Sequence, residues 1–75
     1  MKAPIYCIFQ TNERGVRYRN QGALAKFDDE AKVLDYLNHN LRADWHYRIT
    51  VPHRMSMTPQ QFAAWMRKRL ASANP

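Results

Sequence analysis

The chain predicts a small α+β domain, and three observations carry that expectation. Pro4–Thr11 and Trp45–Val51 read as strands, with successive residues assigned to opposite faces. Two later stretches repeat apolar residues every three or four positions, the spacing of a helix with one buried stripe. At 75 residues, 45% of them hydrophobic, the chain can build one core and is too apolar to be disordered. A single domain over residues 1–75 is expected, frayed at 72–75.

In the first strand Ile5, Cys7 and Phe9 share one face, while Tyr6, Ile8 and Gln10 share the other. Asn12-Glu13-Arg14-Gly15 reads as a turn, in which Gly15 can take positive φ. A second strand, Val16–Asn20, is expected to follow at once, pairing Thr11 with Val16 and Phe9 with Tyr18. In that register Ile5, Cys7, Phe9, Val16 and Tyr18 form the packing face, and Tyr6, Ile8, Gln10, Arg17 and Arg19 turn away from it. Gln21-Gly22 bends the chain, and Ala23–Phe27 either continues that strand or forms a short one of its own.

Asp28 is the expected N-cap of a helix from Asp29 to about Asn40, its acids near the positive helix end and Val33, Leu34, Leu37 and Leu41 forming its buried stripe. Trp45, Tyr47, Ile49 and Val51 then make the inner face of a strand whose outer face carries His46, Arg48 and Thr50, and Pro52 ends it. Thr58-Pro59-Gln60-Gln61 is a strong helix start, with Thr58 as N-cap, Pro59 in the first turn and Gln61 three residues on. Phe62, Met66 and Leu70 follow at four-residue intervals, with Trp65 at the rim of the stripe and the stem of Arg69 laid along the core edge. The order is therefore ββαβα. It implies a small, mainly antiparallel sheet of three strands, or four if Ala23–Phe27 stands alone, with both helices on one face.

The formal charge is +6, from twelve Lys and Arg against six Asp and Glu. Eight of the twelve are arginine, which favours planar, bidentate contact with phosphate or carboxylate. Five of the six acids fall within residues 28–44, so the rest of the molecule is more basic than its average. An acidic partner is implied, either nucleic acid or an acidic protein surface. A solvated basic surface that merely keeps the protein soluble is the plainer alternative.

The residues left outward on the sheet are Tyr6, Ile8, Gln10, Arg17, Arg19, His46, Arg48 and Thr50. An open sheet with aromatic and arginine side chains can stack unpaired bases while guanidinium groups contact phosphates. RNA-binding domains that use a bare sheet offer an analogous surface, but their glycine–aromatic signature is absent here and the strand order differs. Arg67-Lys68-Arg69 adds a second basic cluster, from which Arg67 and Lys68 are free to meet a partner. No helix precedes it at the short spacing of a helix-turn-helix.

Other chemistries find little support. His39, His46 and His53 are spaced by seven, but the last two fall on opposite faces of a strand, and no CxxC accompanies them. Cys7 is expected as a buried thiol, and Asp28 and Asp29 belong to a helix start. The chain is expected to be non-enzymatic and to need no cofactor. One cysteine leaves no internal disulfide and suits a reducing cytoplasm. The apolar run Ile5–Phe9 is too short for a signal-peptide core, and no stretch approaches the ~20 residues of a membrane span. The leading expectation is thus a nucleic-acid-binding module. The alternative is an interaction module or inhibitor that docks on an acidic protein or nucleoprotein complex, with Met55, Met57 and Trp65 as apolar contacts. Homodimerisation through the first strand or the Trp45–Val51 strand, placed at a sheet edge, is compatible with either.

Overall fold

Tyr6–Thr11 forms β1, the central strand of the computed structural model, which describes residues 5–73. β1 pairs antiparallel with β2, Ala25–Phe27, on one side and with β3, His46–Thr50, on the other. Helix α1, Glu30–His39, follows β2, and helix α2, Pro59–Ala73, closes the domain. The ββαβα order and the α+β class stand as expected. Pro4 of the expected first strand lies outside the described residues, as do Asn74 and Pro75 of the expected frayed end. α2 itself runs on to Ala73, past the point where fraying was expected to begin.

The helix starts follow from local hydrogen bonding. Thr58 and Gln61 form a reciprocal box: the Gln61 N–H donates to Thr58 Oγ1 at 3.1 Å, and the Thr58 N–H donates to Gln61 Oε1 at 2.9 Å. α1 begins one residue later than expected, because Asp29 is its cap and accepts from the Ala31 N–H at 2.9 Å. Asp28 instead holds Lys32 at 3.2 Å across one exposed helical turn.

Both helices pack on the same side of the sheet. Val33 from α1 and Phe62 and Met66 from α2 meet Tyr6, Ile8, Tyr47, Ile49 and Val51 in one buried cluster. Phe27 of β2 packs against Tyr36 of α1 with centroids 5.7 Å apart, and the edge of Tyr6 meets Phe62 at 6.3 Å and 79°. Leu70, expected in the stripe of α2, is 56% exposed.

Two expectations about the first half of the chain are overturned. The first concerns β1, whose faces are reversed: Tyr6 and Ile8 are buried with the core, while Cys7 and Phe9 are half-buried on the other side. Both faces of this strand are apolar, so its pattern alone does not choose between them. Tyr6 wins the inner side because its ring packs on Phe62 while its hydroxyl donates to Glu30 Oε1 at 2.8 Å. The second concerns Val16–Asn20, which is not a strand, and its Val16 and Tyr18 are exposed rather than packed. The Asn12 side chain accepts from the N–H groups of Arg14 and Val16, which tightens the turn. The chain touches β1 at a single bridge, Thr11 with Arg17, then leaves, because β2 occupies the rest of that flank opposite Tyr6, Cys7 and Ile8.

The edges differ from expectation too. β1 is central and therefore not an edge. β3 is one, but Met57 covers its middle with two backbone bonds to Ile49, at 2.7 and 2.9 Å. The outer side of β2 is the opposite edge.

Glu30 ties the two helices to the sheet. Its carboxylate accepts from the Tyr6 hydroxyl and from Arg69, whose guanidinium also lies 4.8 Å from the centre of the Trp65 ring. Burial pushes the Glu30 carboxyl up, but the donors Arg69 and Tyr6 outweigh it and hold the group below its ordinary value of 4.5. Burial first, and then this carboxylate, push the Tyr6 phenol up, so it stays a donor. A depressed carboxyl contributes stability above its unfolded-state value, and that contribution is lost as pH falls through the folded value. Glu30→Gln is therefore expected to melt below wild type at neutral pH, with the gap closing once the pH drops below 4.5. Thermal melts of both proteins from pH 7 to pH 3 check this, and a gap that persists at low pH contradicts it.

Candidate nucleic-acid interface

With both helices on one side, the other side of the sheet carries the odd-numbered residues of β1 and their partners. Phe9 stands directly opposite Arg48, Cys7 lies between Thr50 and Lys26, and Thr11 faces His46. The Thr11–Arg17 bridge brings Arg17 onto this face, and its guanidinium lies 4.4 Å from the centroid of the Phe9 ring. The result is an aromatic surface with a cation on it, a second cation across the strand pair, and Lys26 on the far strand. Such a face is chemically suited to flat, anionic partners.

Arg48 is held more firmly than an ordinary surface arginine. Its Nε donates to Ser56 Oγ at 2.7 Å and its Nη2 to the Ser56 carbonyl at 3.4 Å. The side chain also passes the turn at Gly15, where φ is +83° and a Cβ would sit 3.2 Å from Nη1. The positive φ favours glycine there, since an L side chain would strain the backbone, and a Cβ would also press the guanidinium aside by a few tenths of an ångström.

The expected site residues divide into three groups. Arg17, His46 and Arg48 share the open face, with Arg19 exposed in the turn just beyond Arg17. Tyr6 is buried among the helices, which removes it from any interface, and Phe9 takes the position assigned to it. Arg67 and Lys68 are exposed on α2, in the helical layer behind the sheet, and do not join the face. Phe9 was missed, together with Lys26 on β2. Nothing within β1 pointed to Phe9, since phenylalanine is more often buried than tyrosine and only the contacts of Tyr6 with Glu30 and Phe62 reverse that order. Cys7, expected in the core, is half-buried on the open face.

The apolar contacts considered for a protein partner are also dispersed. Met55 is 85% exposed, Met57 is half-buried in its bridge to Ile49, and Trp65 packs 5.5 Å from Phe62 while Arg54 lies 5.3 Å from its ring centre. Among the described residues no group of three or more His, Cys, Asp or Glu could hold a metal ion, and no helix is long and apolar enough to cross a membrane. No protein-family model, curated protein or solved structure matches this chain.

Proposed function

We propose that this domain is a non-enzymatic module that binds single-stranded nucleic acid through the open face of its sheet. One observation carries the proposal: Phe9 and Arg17 stack on that face, with Arg48 held directly across from them. An unpaired base has a flat face to lay on such a surface, whereas the bases of a duplex are already stacked. Lys26 and Arg19 around the rim supply charge for the backbone, His46 adds a polar ring, and the +6 net charge favours approach. A reducing cytoplasmic setting belongs to the same proposal, supported by the lone, unpaired Cys7.

Fluorescence polarisation with single- and double-stranded oligonucleotides at two salt concentrations tests it. Wild type is expected to prefer the single strand and to lose affinity steeply with salt. Arg17→Ala/Arg19→Ala removes two exposed charges, so the slope of log affinity against log salt should flatten by about 1.4 while the melting temperature barely moves. Equal affinity and slope for the double variant would contradict the proposal.

The second reading, docking on an acidic protein or a nucleoprotein complex, draws on Met55, whose exposed and flexible side chain beside Arg54 can adapt to a partner surface. A pull-down before and after nuclease treatment separates the two. Recovery of one protein that survives nuclease supports the second reading.

A further inference from the structure

At the end of the sheet where β1 stops and β3 starts lies a groove of about 460 Å3, walled by the 12–15 turn, the 41–45 loop and the first turn of α2. This falls within the ~300–1,000 Å3 of small-ligand sites. Its lining includes three guanidinium groups, Arg14, Arg42 and Arg48, together with His46 and the ring of Trp45, against a single carboxylate, Glu13. We propose that the groove binds a phosphate monoester borne on a nucleoside, either a free mononucleotide or the terminal nucleotide of a strand. Only the strand-end form rests on the nucleic-acid reading given above.

The charge pattern matches that ligand better than an internal phosphodiester. A monoester carries about −1.5 to −2 at neutral pH, against −1 for each linkage within a strand. Several arginines around one pocket suit such a concentrated charge. Arg48 has donors to spare, since Ser56 engages Nε and Nη2 while Nη1 has no hydrogen-bond partner among the described residues. Arg42 lies 3.7 Å from Asp44, but both side chains are largely exposed, so a phosphate competes with a weak pair. The Arg42 guanidinium also lies over the Trp45 ring, 5.0 Å from its centre, and this stacked plane is one on which a base can lie in turn. The α2 start adds potential of the same sign, but recognition comes from the guanidinium groups.

The test uses the intact chain and the variant Arg14→Ala/Arg42→Ala, both exposed positions, with circular dichroism to check folding. Calorimetry with a nucleoside 5′-monophosphate reads the free ligand. Polarisation with one single-stranded sequence ending in phosphate or in hydroxyl reads the strand end. Saturable binding of the monophosphate, or at least fivefold tighter binding of the phosphate-ended strand, is expected, and the double variant should reduce that effect about tenfold or abolish it. The first result alone identifies a free nucleotide, and the second alone a strand end. No monophosphate binding together with equal affinity for both strand ends overturns the proposal, as does an effect that survives in the variant. If the sheet-face reading alone is wrong, Arg17→Ala/Arg19→Ala leaves binding of the hydroxyl-ended strand unchanged while the monophosphate still binds in the groove.

Discussion

Phe62→Ala is expected to cost about 3–5 kcal/mol, the range for deleting a buried phenyl ring. Phe62 is fully buried where α2 crosses the sheet, with Tyr6 at 6.3 Å and Trp65 at 5.5 Å between ring centres. Little around it can collapse into the space, because Ile8 and Ile49 beneath it are fixed by strand pairing. A chain of this length has a total stability of about 4–11 kcal/mol, so one substitution removes a large share of it. The melting temperature should fall by about 12 °C or more. Leu70→Ala, on the same helix but exposed, should stay within about 0.5 kcal/mol of wild type. Thermal or urea unfolding of the two variants checks both values, and similar costs would place the core wrongly.

The largest effect on binding is expected from Phe9→Ala. A base stacked on an aromatic side chain contributes about 1–3 kcal/mol, so the dissociation constant for a single strand should rise by about 5- to 150-fold. Because the ring carries no charge, the salt slope should stay close to wild type, unlike that of the arginine variants. Phe9 is only half-buried and lies on the side away from the helices, so the fold should persist. Tyr6→Phe is the matched control on the other face of the same strand. It removes the hydroxyl that donates to the Glu30 carboxylate, which should cost about 1.5–3 kcal/mol of stability and leave affinity unchanged. Polarisation and thermal melts on both variants read the contrast directly.

The parts of the fold that were legible in the sequence are those where one local signal pointed one way. Trp45–Val51 sets Tyr47, Ile49 and Val51 against His46, Arg48 and Thr50, and only one of those sets can face a core. Thr58, Pro59 and Gln61 form a capping box whose donors and acceptors lie within three residues of each other. β1 offered no such asymmetry, since either of its faces could be buried. Its choice depends on Glu30, twenty-four positions away, and on Phe62, which are distant in sequence and adjacent only once the helices dock. Val16–Asn20 has better strand formers than Ala25–Phe27, yet the latter pairs because Phe27 also packs on Tyr36 of α1. Tertiary contact outweighed local preference there.

The candidate face shows the same division. His46 and Arg48 were readable from β3 alone. Arg17 reached the open face by a pairing one residue removed from the expected register, with Thr11 rather than the residue before it. That slip explains why Arg17 is found beside Phe9 and not beside Tyr6.

Amide chemical-shift mapping during titration with a short single-stranded oligonucleotide tests most directly which surface of the domain meets the ligand. Saturating shifts should cluster at Cys7, Phe9, Arg17, Lys26, Arg48 and Thr50, with Val33, Leu37, Phe62 and Met66 nearly still. Shifts confined to Arg67, Lys68 and their neighbours on α2, or no saturable change at any position, would contradict the account.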